Sequence, residues 1–222
     1  MRLKFTEGTF AERDALVKLR NLGSNDGVDE CVRRGLVKFV NFQGALCWCI
    51  LDQSDKAKQM RRLDGVQLTG QNGAVMKAKS VFGSQHSWPI GTLETKPYQY
   101  VALVEGGPDL LAAFQYAAIE DVIKKVAVCT MFGSSNRICD EALAELSGKR
   151  VRVIGHADKA GAKARVRWME QLRKAGCEVD AYDLHGLKME DGSLVDDIND
   201  LFSCDEESVE FLINNHLFAF AE

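Results

Sequence analysis

From Gln99 onward, short apolar runs alternate with longer amphipathic stretches, and this alternation restricts the fold more than any other feature of the sequence. Tyr100-Val101-Ala102-Leu103-Val104 is apolar at every position. Such a run suits a strand covered on both faces rather than one with a wet face. The spacing predicts strands over 100–104, 126–130, 151–154 and 178–184. Helices are expected over 108–118, 136–146 and 160–175, with Gly148 and Gly176 as stop signals. A β-α-β-α-β-α-β order implies an α/β fold, a parallel sheet with right-handed crossovers and helices on its faces. Sheets of this kind bind ligands beyond the carboxyl ends of their strands. A closing helix is expected over 205–220.

The first 98 residues read differently. Phe10, Leu16, Val17 and Leu19 are spaced as the apolar face of a helix over 10–21, and a short helix over 26–34 follows. Leu36 to Phe42 then alternates with period two, Gln43-Gly44 turns, and Ala45 to Leu51 returns, which is a hairpin pattern. Further strands are expected near 57–61, 66–69 and 74–82. Residues 83–99 contain Pro89 and Pro97 and read as a connection. The chain is therefore divided into a small α+β part over 1–98 and a parallel-sheet domain over 99–222.

Charge follows the same division. Residues 1–98 carry 15 Lys/Arg against 10 Asp/Glu, whereas residues 99–222 carry 13 against 22. A basic front and an acidic back suit a protein that grips a polyanion with one part and gathers metal ions with the other, although solvated charged faces give the same tally. No apolar run approaches the roughly 18 residues of a membrane span. The first residues lack the apolar core of a secretory signal. Seven cysteines without framework spacing point to reduced thiols in a cytoplasmic compartment. Cys47-Trp48-Cys49 has no second Cys/His pair with which to complete a zinc site.

Two strand ends carry the residues that could do chemistry. In Val104-Glu105-Gly106-Gly107-Pro108-Asp109, an acid follows a buried strand directly. Gly106 and Gly107 allow an anion to approach the backbone, and the amides of the next helix face the same way. A plain reading of the same residues is a tight turn, with Asp109 offsetting the helix dipole. In Ile154-Gly155-His156-Ala157-Asp158-Lys159-Ala160-Gly161, His156 and Asp158 are two apart and share a side of an extended chain. Here the plain reading is a helix N-cap at Asp158 beside an incidental histidine.

Taken together, Glu105 to Asp109 and His156 to Gly161 resemble the E-G-x-x-D and D-x-D signatures of the Toprim (topoisomerase–primase) family, of the bacterial and phage primase-like type. Val195-Asp196-Asp197-Ile198-Asn199-Asp200 resembles the acidic segment after the last core strand of primase-type members. More weakly, Arg33-Arg34-Gly35-Leu36, Arg61-Arg62-Leu63-Asp64-Gly65 and Ser87-Trp88-Pro89-Ile90-Gly91 resemble the basic segment that precedes the domain. The resemblance implies a Toprim-like Rossmannoid sheet flanked by helices and a role in DNA replication. It implies metal-dependent nucleotidyl transfer on a template, with Glu105 and Asp158 as catalytic residues. Mg²⁺ or Mn²⁺ would be held by Glu105, Asp109, His156, Asp158, Asp197 and Asp200. Gly106, Gly107 and Lys159 would meet phosphate, and Arg33, Arg34, Arg61, Arg62, Lys77 and Lys79 would meet nucleic acid. The implied partners are DNA, in the form of a single-stranded template, nucleotides, and a replicative helicase.

One position departs from the family. His156 stands where the first aspartate of D-x-D is expected. Imidazole is a softer ligand than carboxylate and removes one negative charge. Four readings stay open: a metal shell completed by Glu105, Asp109, Asp158 and water, a shell that favours Mn²⁺, a module that binds nucleic acid without chemistry, or a histidine that serves as acid/base or phosphate contact. A Toprim nuclease is a further alternative.

Overall fold

The computed structural model describes residues 3–70 and 73–221. Helices α1 (Phe10–Arg20) and α2 (Asp26–Arg33) open the chain. Thr9 caps α1 in a reciprocal box with Glu12, the arrangement expected of T-x-x-E ahead of an apolar stripe. Strands β1 (Val37–Phe42) and β2 (Ala45–Leu51) form the expected hairpin, with Val40 opposite Cys47. β3 (Lys58–Arg62) pairs with β2. The stretch expected as one strand near 74–82 is divided. β4 (Leu68–Thr69) pairs with β5 (Val75–Met76) in a small ribbon, whereas β6 (Lys79–Ser80) joins the main sheet, whose order is β1-β2-β3-β6.

The second sheet is parallel, in the order β10-β9-β7-β8. Its strands are β7 (Tyr100–Val104), β8 (Val126–Thr130), β9 (Arg150–Ile154) and β10 (Glu178–Ala181). Helices α3 (Gly107–Ile119), α4 (Asp140–Leu146) and α5 (Lys159–Lys174) connect them, and α6 (Glu206–Asn214) follows. The expected α/β class and the parallel sheet flanked by helices are both present. No described helix is long and apolar enough to cross a membrane.

Three element boundaries differ clearly from the sequence reading, and at two of them tertiary hydrogen bonds take the backbone. The helix expected from Asn136 begins only at Asp140, since Trp168 Nε1 donates to the Asn136 carbonyl, and Ile138 exchanges bonds with the Gln171 amide. The last strand ends at Ala181 rather than Leu184. The tail helix stops at Asn214, and only a short 3₁₀ turn over Ala219–Ala221 continues it. Glu120 accepts from the Leu217 and Phe218 amides and draws that segment onto the end of α3.

The two sheets share one apolar core. Phe39, Trp48 and Ile50 of the antiparallel sheet join Leu110, Leu111 and Phe114 of α3 in a single cluster. At Gly27, α2 crosses α3 so closely that a Cβ would lie 2.5 Å from the Gln115 amide nitrogen. Gln115 Oε1 accepts from the Gly27 amide at 2.9 Å. Arg34 makes the second tie. It is buried, its guanidinium donates to the Val126 and Ile123 carbonyls, and Glu30 neutralises it. Tyr98 and Phe114 cover its faces. The charge of Arg34, expected to meet nucleic acid, is thus buried and engaged by two carbonyls and Glu30.

Removing that guanidinium strands two carbonyls and a carboxylate. Arg34→Ala should cost about 3–5 kcal/mol of stability, the scale for breaking a buried pair. Urea denaturation checks this, and a loss below about 1 kcal/mol would show that the tie is dispensable.

Candidate metal and phosphate site

β7 and β9 are neighbours in register, with Val104 opposite Ile154. Whatever follows one strand therefore faces whatever follows the other. Glu105 leaves β7 and His156 leaves β9, two residues beyond its end. His156 Nδ1 lies 3.7 Å from Glu105 Oε1, and Nε2 lies 3.0 Å from Asp109 Oδ2. Asp109 sits in the first turn of α3, where Oδ2 also accepts from the Gly106 amide at 2.8 Å. The dipole-offsetting role and the site role thus fall to one carboxylate, which is 2% exposed. Glu105 Oε1 accepts from the Ser134 amide at 3.1 Å, while its Oε2 is buried without a hydrogen-bond partner.

The acidic segment closes the group. The Ala157 amide donates to the Asp196 carbonyl at 2.7 Å, which holds residues 195–200 against the end of β9. One ligand atom from each of Asp109, His156 and Asp197 then lies within 4.8 Å of the others. Asp200 supports rather than joins them, since its Oδ2 accepts from the Asp196 and Asp197 amides. Asp158 is exposed, caps α5 by accepting from the Gly161 amide at 2.6 Å, and stands apart from the converging atoms. The close packing at α5 needs Gly161, where a Cβ would lie 2.4 Å from the His156 carbonyl oxygen. Lys159 is exposed at the start of the same helix.

Two carboxylates, an imidazole and an orphaned buried carboxylate oxygen fit a divalent cation. An oxygen-rich set with a single nitrogen serves Mg²⁺ and Mn²⁺ chemistry, with Mn²⁺ the more tolerant of imidazole. Without metal, the crowding shows in the proton affinities. Burial raises Glu105 above the usual carboxylate range, and Asp109 adds to the rise. Burial, then Asp109 and Asp200, raise Asp197 to about 6. Burial pulls His156 down, but the hydrogen bond to Asp109 and the charges of Asp109, Glu105 and Asp197 outweigh it, and the imidazole is raised to about 9. His156 is then the cation among the acids.

A basic pocket of about 260 Å³ lies on the adjoining face of the antiparallel sheet, lined by Arg20, Arg61, Arg62, Lys77, Trp48 and Leu19 among others. Register explains its composition, because Trp48 opposes Arg61 in the β2–β3 pair. Burial and the neighbouring Arg20 lower the Arg61 guanidinium, while Asp109 and Asp197 raise it, so acid cluster and basic pocket lie within electrostatic reach. Arg61 Nε and Trp48 Nε1 are both buried without a partner. Arg62 pairs with Asp64 at the rim. Arg33 is an exposed partner of Glu30, and Lys79 lies over the Phe42 ring, lining a different groove.

The sequence reading missed Arg20. Its Nε and a terminal nitrogen donate to Asn199 Oδ1 at 3.0 and 2.8 Å, and Asn199 Nδ2 donates back to the Arg20 carbonyl. The Asn199 amide in turn donates to Asp197 Oδ1 at 2.8 Å. This brace ties α1 to the acidic segment. In the sequence, Arg20 is only the last charge of an amphipathic helix, and no local signal distinguishes it.

No family model matches the sequence, and no curated protein matches it. Among solved structures, the chain is similar to the primase fragment of the bacteriophage T7 primase-helicase protein, with a TM-score of 0.51 and 16% identity over 86% of this chain and 67% of that one. The fold is primase-like. The Aquifex aeolicus primase, in a structure of its zinc-binding and RNA polymerase domains, is similar with a TM-score of 0.47 and 18% identity over 96% of this chain. This chain spans about half of that one, at 49%.

The raised His156 gives a test in metal-free protein. A histidine raised from 6.5 to about 9 on folding contributes stability that is complete below pH 6.5 and lost as pH rises through 9. Wild type should lose up to about 3 kcal/mol more than His156→Gln between pH 6.5 and 9.5. Metal must displace this proton, so Mn²⁺ affinity in wild type should rise over the same interval. Parallel stability curves for the two proteins would place His156 outside the cluster's electrostatics.

Proposed function

We propose that this chain is a primase-like Toprim protein of DNA replication that carries out metal-dependent nucleotidyl transfer on a nucleic-acid template. The observation that carries the proposal is the meeting of an acid cluster with a basic pocket. Glu105, Asp109, His156 and Asp197 gather at adjoining strand ends, and Arg20 and Arg61 stand within electrostatic reach of them. Separate acidic and basic patches are common; their meeting at the carboxyl edge of a parallel sheet suits a bound polyphosphate.

Asp109, His156 and Asp197 would hold the divalent ion, with Glu105 beside them. When bound, the ion supplies charge neutralisation at the triphosphate and orientation of the attacking 3′-hydroxyl. Arg20, Arg61, Arg62 and Lys77 hold the phosphates of nucleotide or template, positioning them without reading sequence. Gly106 and Gly107 serve the close turn into α3, where the Gly106 amide is held by Asp109 and Gly107 packs against Ile50 and Trp48. Glu105 Oε2, buried and without a partner, is the acceptor for the hydroxyl proton, and its raised proton affinity suits that task. Single-stranded DNA, nucleotides and a replicative helicase are the partners this reading calls for.

A second reading, a nucleic-acid-binding module without chemistry, draws on His156. Protonated, it neutralises Asp109 and Glu105 from within the cluster, as a metal would. Primer synthesis on single-stranded templates in Mn²⁺ and in Mg²⁺ separates the two. Synthesis should be stronger in Mn²⁺, and Glu105→Gln and Asp109→Asn should each lower it by about 100-fold or more, with DNA binding retained. Binding without synthesis in either metal would leave the module reading in place.

A further inference from the structure

A pair of aromatic rings stands beside the acid cluster and takes no part in the chemistry described above. His86 and Phe132 are stacked, with centroids 5.1 Å apart and planes 12° from parallel. Phe132 belongs to the loop that follows β8, and this loop is tied to the end of β7. The Gly133 amide donates to the Glu105 carbonyl at 3.0 Å, and the Ser134 amide donates to Glu105 Oε1 at 3.1 Å. Phe132 is therefore fixed next to the residue proposed as base. Its ring is half-buried and packs against the core.

His86 comes from the other part of the chain, the connection that leads into β7. That connection is fixed to the same region. Ile90 and Thr130 exchange both backbone bonds at 2.9 Å, and the Cys139 amide donates to the Ser87 carbonyl at 2.9 Å. Arg167 pins the loop from below by donating to the Ser134 and Asn136 carbonyls. His86 itself is exposed. One half-buried ring anchored in the core, with an exposed planar ring laid on it, makes a flat surface held at both ends before any ligand arrives. A base with a π-face can stack on such a surface whatever its identity, and the ordering cost has already been met by folding.

We propose that His86 and Phe132 form a stacking platform for a nucleobase at the edge of the acid cluster. The inference rests on the primase-like reading, in which the cluster and basic pocket take the phosphates and leave the base unaccounted for. The base comes either from a nucleotide or from the single-stranded template, and the chemistry of the platform is the same for both.

Three ligands tested by calorimetry in Mn²⁺ separate the cases: a nucleoside triphosphate, inorganic tripolyphosphate, and single-stranded oligonucleotides with or without one abasic position. His86 is exposed, so His86→Ala keeps the fold, and His86→Phe keeps a ring. If the platform takes the nucleotide base, His86→Ala should weaken the nucleoside triphosphate on the order of tenfold and leave tripolyphosphate unchanged, with His86→Phe close to wild type. If it takes a template base, the same loss should appear for the intact oligonucleotide and vanish for one abasic at the stacked position. Equal affinity of wild type and His86→Ala for both base-bearing ligands, with tripolyphosphate still bound, overturns the platform alone. Failure of wild type to bind any of the three overturns the primase-like reading and the platform with it.

Discussion

Val104 pairs with Ile154, and the site follows from that register. Parallel strands end on the same side, so their neighbouring carboxyl ends deliver Glu105 and His156 together. A shift of two residues would move His156 by about 7 Å and separate it from Glu105. The register is protected because both strands lie in the core, with Val101, Leu103, Val151 and Val153 fully buried. Asp109 then arrives with the first turn of α3, and Asp197 is brought in by the backbone bond between Ala157 and Asp196.

Gathering Glu105, Asp109 and Asp197 in a half-buried space is unfavourable unless positive charge accompanies them. Three sources lie nearby. His156 is inside the cluster, Arg61 reaches it from β3, and Arg20 reaches it from α1 through Asn199. Two of the three come from the front part of the chain. The shared core through Trp48, Ile50 and α3 therefore does more than add stability; it sets the basic pocket at a fixed distance from the acids. The meeting of the two charges is a property of both sheets together.

Much of this arrangement was legible in the sequence, because strands buried on both faces and an acid placed directly after one of them are local patterns. Glu105, Asp109, His156 and Asp197 could be named from their place after strands and from the family resemblance. The resemblance also placed Asp158 among the catalytic and metal residues, but its carboxylate caps α5; an N-cap and a site acid look alike in sequence. Arg34 looked like its neighbour Arg33, but one is buried beneath two rings and the other is exposed. Arg20, Trp48 and the His86–Phe132 pair depend on contacts across large separations in the chain, which periodicity does not record. The start of α4 was misplaced for the same reason, with Trp168 and Gln171 taking the backbone groups that a longer helix would have used.

The central claim is that Asp109, His156 and Asp197, with Glu105 beside them, constitute a divalent-cation site. A crystal grown in Mn²⁺, with anomalous data collected at the manganese edge, tests this most directly. The account predicts an anomalous peak among these side chains, with oxygen ligands at roughly 2.0–2.3 Å and the imidazole of His156 turned toward the ion. A protein that binds Mn²⁺ elsewhere, with His156 still hydrogen-bonded to Asp109 and no peak between Asp109 and Asp197, would contradict it.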